Sequence, residues 1–213
     1  MNRVLPILFN TEMVRAILEG RKGATRRSVK GYIPDDAVWG YTAFTPKGYI
    51  SCRGTFADGY GEKFFKLPCE PGDILYVRET WHKGLERYIY RADYSDTEKF
   101  YRDGKEIKMK WHPSIHMPKE AARIWLKVTD VRVERLQDIT PKDAENEGVG
   151  NLFYEDIGYS EKNYGTEVDP EYGIAKEQFA WLWESTVKKS DLDRYGWNAN
   201  PWVWVIEFER CEK

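Results

Sequence analysis

The chain has 213 residues, 41% of them hydrophobic and 15% aromatic, which suits one large folded domain or two small ones and excludes a disordered chain. A formal net charge of −2 excludes a protein drawn to nucleic acid by a global field. Any anionic ligand must therefore be held by a local patch.

In chain order, Val4–Phe9 is a short apolar run and reads as a buried strand. A short amphipathic helix follows over Thr11–Glu19, with Met13, Val14, Ile17 and Leu18 in one apolar stripe. Asn10 and Thr11 offer N-cap oxygens, and Gly20 stands where a left-handed stop is expected. Thr25–Val29 reads as a strand. The stretch Gly20–Lys30, with five cationic side chains, is thereby a helix-to-strand turn anchored at both ends, able to hold a charged head in a fixed place.

Residues 31–68 are rich in Gly, Pro and aromatics, with strand-like character near Gly48–Phe56 and a turn at Ala57-Asp58-Gly59. Pro71-Gly72-Asp73 is a turn into a half-buried strand through Trp81, on which Glu79 and Trp81 share a face. A hairpin is expected around Tyr88–Arg91, and two prolines make residues 111–118 an ordered loop. Ala121–Val133 is the longest strand, and its apolar parity changes at Thr129-Asp130, which predicts a bulge or corner. Thr140-Pro141-Lys142-Asp143 opens a helix that Gly148 ends. Residues 150–172 look like an insertion, an amphipathic helix spans roughly residues 174–189, and a final strand covers Trp202–Glu209.

His112 and His116 have the spacing of a helical metal pair, but Pro113 breaks such a helix and no Cys or third His completes a site. No metal or cofactor is expected, since P-loop, dinucleotide and nucleophile-elbow motifs are absent. Cys52, Cys69 and Cys211 form no CxxC pair, so reduced thiols are the expectation. The opening Met1-Asn2-Arg3-Val4-Leu5 lacks the apolar region of a signal peptide, and no run is long enough to span a membrane. A cytoplasmic protein is expected.

Gly20, Arg21, Lys22, Thr25 and Arg27, set between helix and strand, resemble the opening motif of the ASCH family. The Gly-Asp turn at Gly72-Asp73 is also similar to ASCH and PUA-like barrels, and the run Arg78-Glu79-Thr80-Trp81, the run Ile115–Thr140 and the ending Asn200–Ile206 resemble that family's longer phage and prophage members. The resemblance implies an α+β chain built as a PUA-like curved β-barrel with flanking helices. It implies a single domain over residues 1–213, with inserted loops near 31–68, 86–118 and 150–172. The implied function is binding of RNA or a modified nucleobase or nucleoside in a basic cleft, with no membrane partner.

An alternative is an amidohydrolase acting on an N4-acetylcytidine-type nucleoside. Small bacterial members are proposed to use a Lys, a Thr and a Glu, which fall here on Lys22, Thr25 and Glu147, with Glu145 competing for the last place. A desolvated, neutral Lys22 could take the Thr25 proton, and the carboxylate could orient water or protonate the leaving amine. A protein-binding module of phage origin is the third possibility. Ligand contacts are expected from Arg21, Arg26, Arg27, Glu79, Trp81 and His116; a carboxylate can accept from a base amino group, and an indole can stack on a base.

Overall fold

A computed structural model of the chain describes residues 2–85, 87–102, 104–149 and 170–213. It is mixed α and β, with strands predominating. The first part runs β1 (Val4–Leu8), α1 (Thr11–Leu18) and β2 (Ala24–Ser28). Three strands follow, β3 (Val38–Gly40), β4 (Tyr49–Phe56) and β5 (Gly59–Lys66), and then β6 (Ile74–Arg78). Short hairpins come next: β7 (Trp81–Lys83) with β8 (Tyr88–Tyr90), and β9 (Phe100–Arg102) with β10 (Lys105–Ile107). The last part holds β11 (Trp125–Arg135), α2 (Pro141–Asn146), α3 (Pro170–Thr186), α4 (Leu192–Tyr195) and β12 (Trp202–Cys211).

Five strands form the principal sheet in the order β1-β6-β11-β12-β2, so both halves of the chain build one sheet. Each of the five falls on a segment that reads as a strand in the sequence. In β12, Trp204, Ile206 and Phe208 face one apolar cluster with Val14, Ile17, Leu126 and Val128. Val203 and Val205 face the second, with Leu136, Ala144, Phe179 and Trp183. The β11–β12 register shifts between Val128 and Asp130, as the parity change predicts. The bulge returns Val131 to the side already taken by Leu126 and Val128. In α1, the Asn10 side chain accepts from the Met13 N–H at 2.8 Å, and Gly20 at φ +77° turns the chain out.

Three expectations need correction. The sheets described are not closed into a barrel. The edge strands β2 and β1 are linked by a side chain instead, the Arg27 Nη2 donating to the Leu8 carbonyl at 2.8 Å. Pro6 gives a reason. Phe9 N–H donates to Arg78 O and Arg3 O accepts from Ile74 N–H, so the odd-numbered positions of β1 face β6. Pro6 then stands at an outward position where a donor would be needed, and has none.

β1 is also less buried than its apolar run suggests, because an edge strand covers one face only: Ile7 is buried while Val4 and Leu8 are exposed. Finally, Glu79 and Trp81 do not share a strand, since β6 ends at Arg78 and Trp81 begins β7. Of the expected insertions, 31–68 contains the separate β3-β4-β5 sheet, and 86–118 contains β8 and the β9–β10 pair. The third lies largely outside the described residues, which resume at the start of α3.

Candidate functional site

The basic turn is fastened before any side chain acts. Ala16 O accepts from the Arg21 and Lys22 N–H groups at 2.8 and 3.1 Å, and Asn146 O accepts from the Gly23 N–H at 2.9 Å. Lys22 bridges antiparallel to Glu147, the residue that caps the C-terminus of α2. A capping box between Thr140 and Asp143 fixes the other end of that helix. Gly148, at φ +84°, permits the close approach. A Cβ there would lie 2.7 Å from Ala16 Cβ and 3.0 Å from Lys22 Cβ, besides adopting a strained backbone. Arg21 stays exposed, donating to Gly148 O at 2.9 Å and to Glu19 at 2.7 Å.

At the centre, Lys22 Nζ donates to Glu147 Oε2 and to Glu147 O, both at 2.7 Å. Arg26 Nη1 donates to Glu147 Oε1 at 3.3 Å, so both carboxylate oxygens are engaged. Arg26 also meets Glu134 at 3.3 Å and Asp143 at 3.7 Å. The Lys22 side chain is 0% exposed and that of Glu147 3%, which makes this a dry ion pair. Burial pushes the Lys22 ammonium below its ordinary value; Glu147 opposes that, while Arg27 and Arg26 add to it. Glu145 is exposed and near Lys142, so of the two competing glutamates Glu147 is the one brought to Lys22.

Thr25 is buried on the strand position opposite Ile206, and no hydrogen bond joins it to Lys22 or Glu147 among the described residues. Two of the three residues implied for hydrolysis therefore meet directly. Arg27 follows on the same face of β2 as Thr25. Its guanidinium and the Lys22 ammonium both lie 5.5 Å from the Phe9 ring centroid. Among the described residues no carboxylate forms a salt bridge with Arg27. Burial pulls it below its ordinary value, opposed only by the field of Glu147.

Arg27 borders two cavities. One, of about 340 Å³, lies in the gap between β1 and β2, against Leu5, Ile7, Leu75 and Ile206, with Arg27 its sole charged wall among the described residues. The other, of about 410 Å³, opens along the outer edge of β2 and is lined by Arg26, Lys30, Trp183, Lys188 and Tyr195, with Asp191 its one acid among the described residues. Lys30 Nζ sits 3.8 Å from the Tyr195 ring centroid. Sequence reasoning did not single out Lys30, Lys188 or Tyr195 as site residues. The pair Lys188-Lys189 just after α3 was the available signal.

The remaining expected contacts lie elsewhere. Glu79 is 1% exposed and held by both Arg123 Nε and Nη2, at 2.9 and 3.0 Å. Burial raises its carboxyl above the usual value and Arg123 pulls it back. Trp81 is buried against Tyr88 and His112, ring centroids 5.6 and 5.1 Å away. His116 lies exposed on the short turn Ser114–His116, while Met117 beside it is buried with Trp81. None of these touches the Lys22–Glu147 pair among the described residues. No family model, curated protein or solved structure matches this chain.

Proposed function

We propose that this chain is an ASCH-type, PUA-like module that binds RNA or a modified nucleoside or nucleotide at the edge of β2. The observation that carries the reading is Arg27, a cation without a carboxylate partner among the described residues, set between an apolar cavity and a basic cleft. A base fits the apolar side, where flat rings gain from leaving water. Phosphate fits the other, where Lys30 and Lys188 supply local positive charge that the whole chain lacks. Arg26 is committed to Glu147 and Glu134 and serves as framework. Two cysteines buried as free thiols accord with a reducing compartment, and the cytoplasm is the proposed location.

Fluorescence polarisation with short single-stranded RNA tests this. Lys30→Ala/Lys188→Ala changes two exposed side chains, and should weaken binding and flatten its salt dependence. Arg27→Ala should cost roughly tenfold or more, the loss expected of one charged hydrogen bond. Binding that none of these variants weakens would refute the reading.

A second reading, N4-acetylcytidine-type amide hydrolysis, is favoured by one observation: Lys22 is desolvated and lies 2.7 Å from Glu147, three residues before Thr25. It requires Lys22 to lose a proton before it can take one from Thr25, a loss that its burial favours and its bonds to Glu147 oppose. Incubating the wild-type chain with N4-acetylcytidine and seeking cytidine decides it. Release that Thr25→Ala abolishes would establish hydrolysis; no release after hours at high protein concentration would leave binding alone.

A further inference from the structure

β5 is the outer strand of the β3-β4-β5 sheet, and among the described residues no strand pairs with its other edge. Its ladder with β4 runs without a break from Tyr49–Lys66 to Phe56–Gly59. It contains no proline and no bulge, two of the usual means by which proteins blunt an exposed edge. Leu67 N–H donates to Gly48 O at 2.9 Å, so by alternation residues 61, 63 and 65 turn their backbone groups toward β4. Tyr60, Glu62, Phe64 and Lys66 present theirs to the open edge. The same four side chains share the face turned from the core, because Phe65 on the other face meets Trp39 at 5.1 Å. Tyr60 is 75% and Phe64 38% exposed.

We infer that β5 pairs antiparallel with β5 of a second copy of this chain, about a two-fold axis at Phe64. A two-fold between identical antiparallel strands runs normal to the sheet, so opposed residues lie on one face. Centring on Phe64 sets Phe64 against its counterpart and Glu62 against Lys66 twice over. All three opposed pairs then have their N–H and C=O groups turned to the shared edge, where they exchange hydrogen bonds. On the other face Lys63, whose ammonium lies over its own Phe56 ring at 4.2 Å, falls opposite Phe65. Centring on Glu62 or on Lys63 opposes like charges at the axis, and centring on Gly61 or Phe65 loses both Glu–Lys pairs. The order of charges along β5 thus selects one register and one partner, a second copy. Within its own sheet, Glu62 also accepts from the Ser51 hydroxyl of β4. The product is one continuous sheet, β3-β4-β5 joined to β5-β4-β3. A short edge pairing of this kind covers less than a standard interface of ~1,600 Å², so the association is concentration-dependent.

Sedimentation velocity over a wide concentration range tests the inference on the full chain. Wild type should pass from monomer to dimer. Glu62→Lys and Lys66→Glu should each turn both cross-strand pairs repulsive and weaken the dimer roughly tenfold or more. The decisive sample is the mixture of the two variants, one chain now wholly basic at these positions and the other wholly acidic. Each alone should remain monomeric, while the mixture should dimerise, because every cross-strand pair is again of opposite sign. Circular dichroism on each variant separates this from misfolding, and recovery in the mixture does so independently. A wild type that stays monomeric throughout, or a dimer indifferent to these charges, would overturn the pairing.

Discussion

Replacing Glu147 by Gln preserves shape while removing one charge from the most buried ionic cluster of the site. The Lys22 and Arg26 side chains are 0% and 1% exposed, and both donate to this carboxylate. Breaking a buried pair by removing one partner costs about 3–5 kcal/mol, because the other charge stays buried and uncompensated. Here two cations are left, with only Glu134 and Asp143 at the margin, so the upper part of that range applies. At about 2–4 °C per kcal/mol for a domain of this size, the Tm should fall by roughly 8–20 °C. Lys22→Met should cost less than Glu147→Gln, since Glu147 keeps Arg26. In the double variant the second change should cost far less than it does alone, giving a coupling of about 1–3 kcal/mol. Urea denaturation of the four proteins at pH 7 measures it. Additivity within about 0.5 kcal/mol, or an unchanged Tm for Glu147→Gln, would show that the pair does not hold the turn as described.

Gly148→Ala should destabilise by more than about 1 kcal/mol in the same assay, because the new methyl meets Ala16 and Lys22 in a backbone conformation that disfavours it. Burial alone would raise the Asp73 carboxyl, but the bonds from Arg3 and the Glu70 N–H outweigh it and hold it below the usual value. A depressed carboxylate contributes stability above its unfolded value of about 4. The Tm difference between wild type and Asp73→Asn should therefore be full near pH 6 and shrink as pH falls below about 4. Burial pushes the Cys69 thiol up to about 12 and the Cys52 thiol up to about 11. A thiol reagent at pH 8 should modify Cys211, which is partly exposed, before either of them; equal native rates for all three would contradict the burial.

What could be read from the sequence was whatever depends on neighbours in the chain. The capping box at Thr140, the left-handed stops at Gly20 and Gly148, and the bulge beside Asp130 are set within a few residues, and each stands where its local pattern places it. The alternation of β12 likewise announced a strand with two covered faces. Partnerships across the fold were not legible. Nothing near Arg26 announces that it shares Glu147 with Lys22, and nothing near Glu79 announces Arg123. Charged residues of one type look alike in sequence, whether solvated, like Lys30, or buried, like Lys22. Burial is decided by which remote element arrives, and so the basic cleft emerged only when α3 and α4 were set beside β2.

The strand order β1-β6-β11-β12-β2 also dictates when this protein can exist at all. Thr25 finds its strand partner in Ile206, so a growing chain has made every other described strand before β2 can be matched. Until β12 emerges, the basic turn has no strand to lie against, and Trp204, Ile206 and Phe208 are missing from the core. Pairings this distant are slow to form and leave sticky intermediates waiting. A ribosome that stops short of Trp202 would release a chain with the cations of the basic turn in place along the sequence and no surface to mount them on.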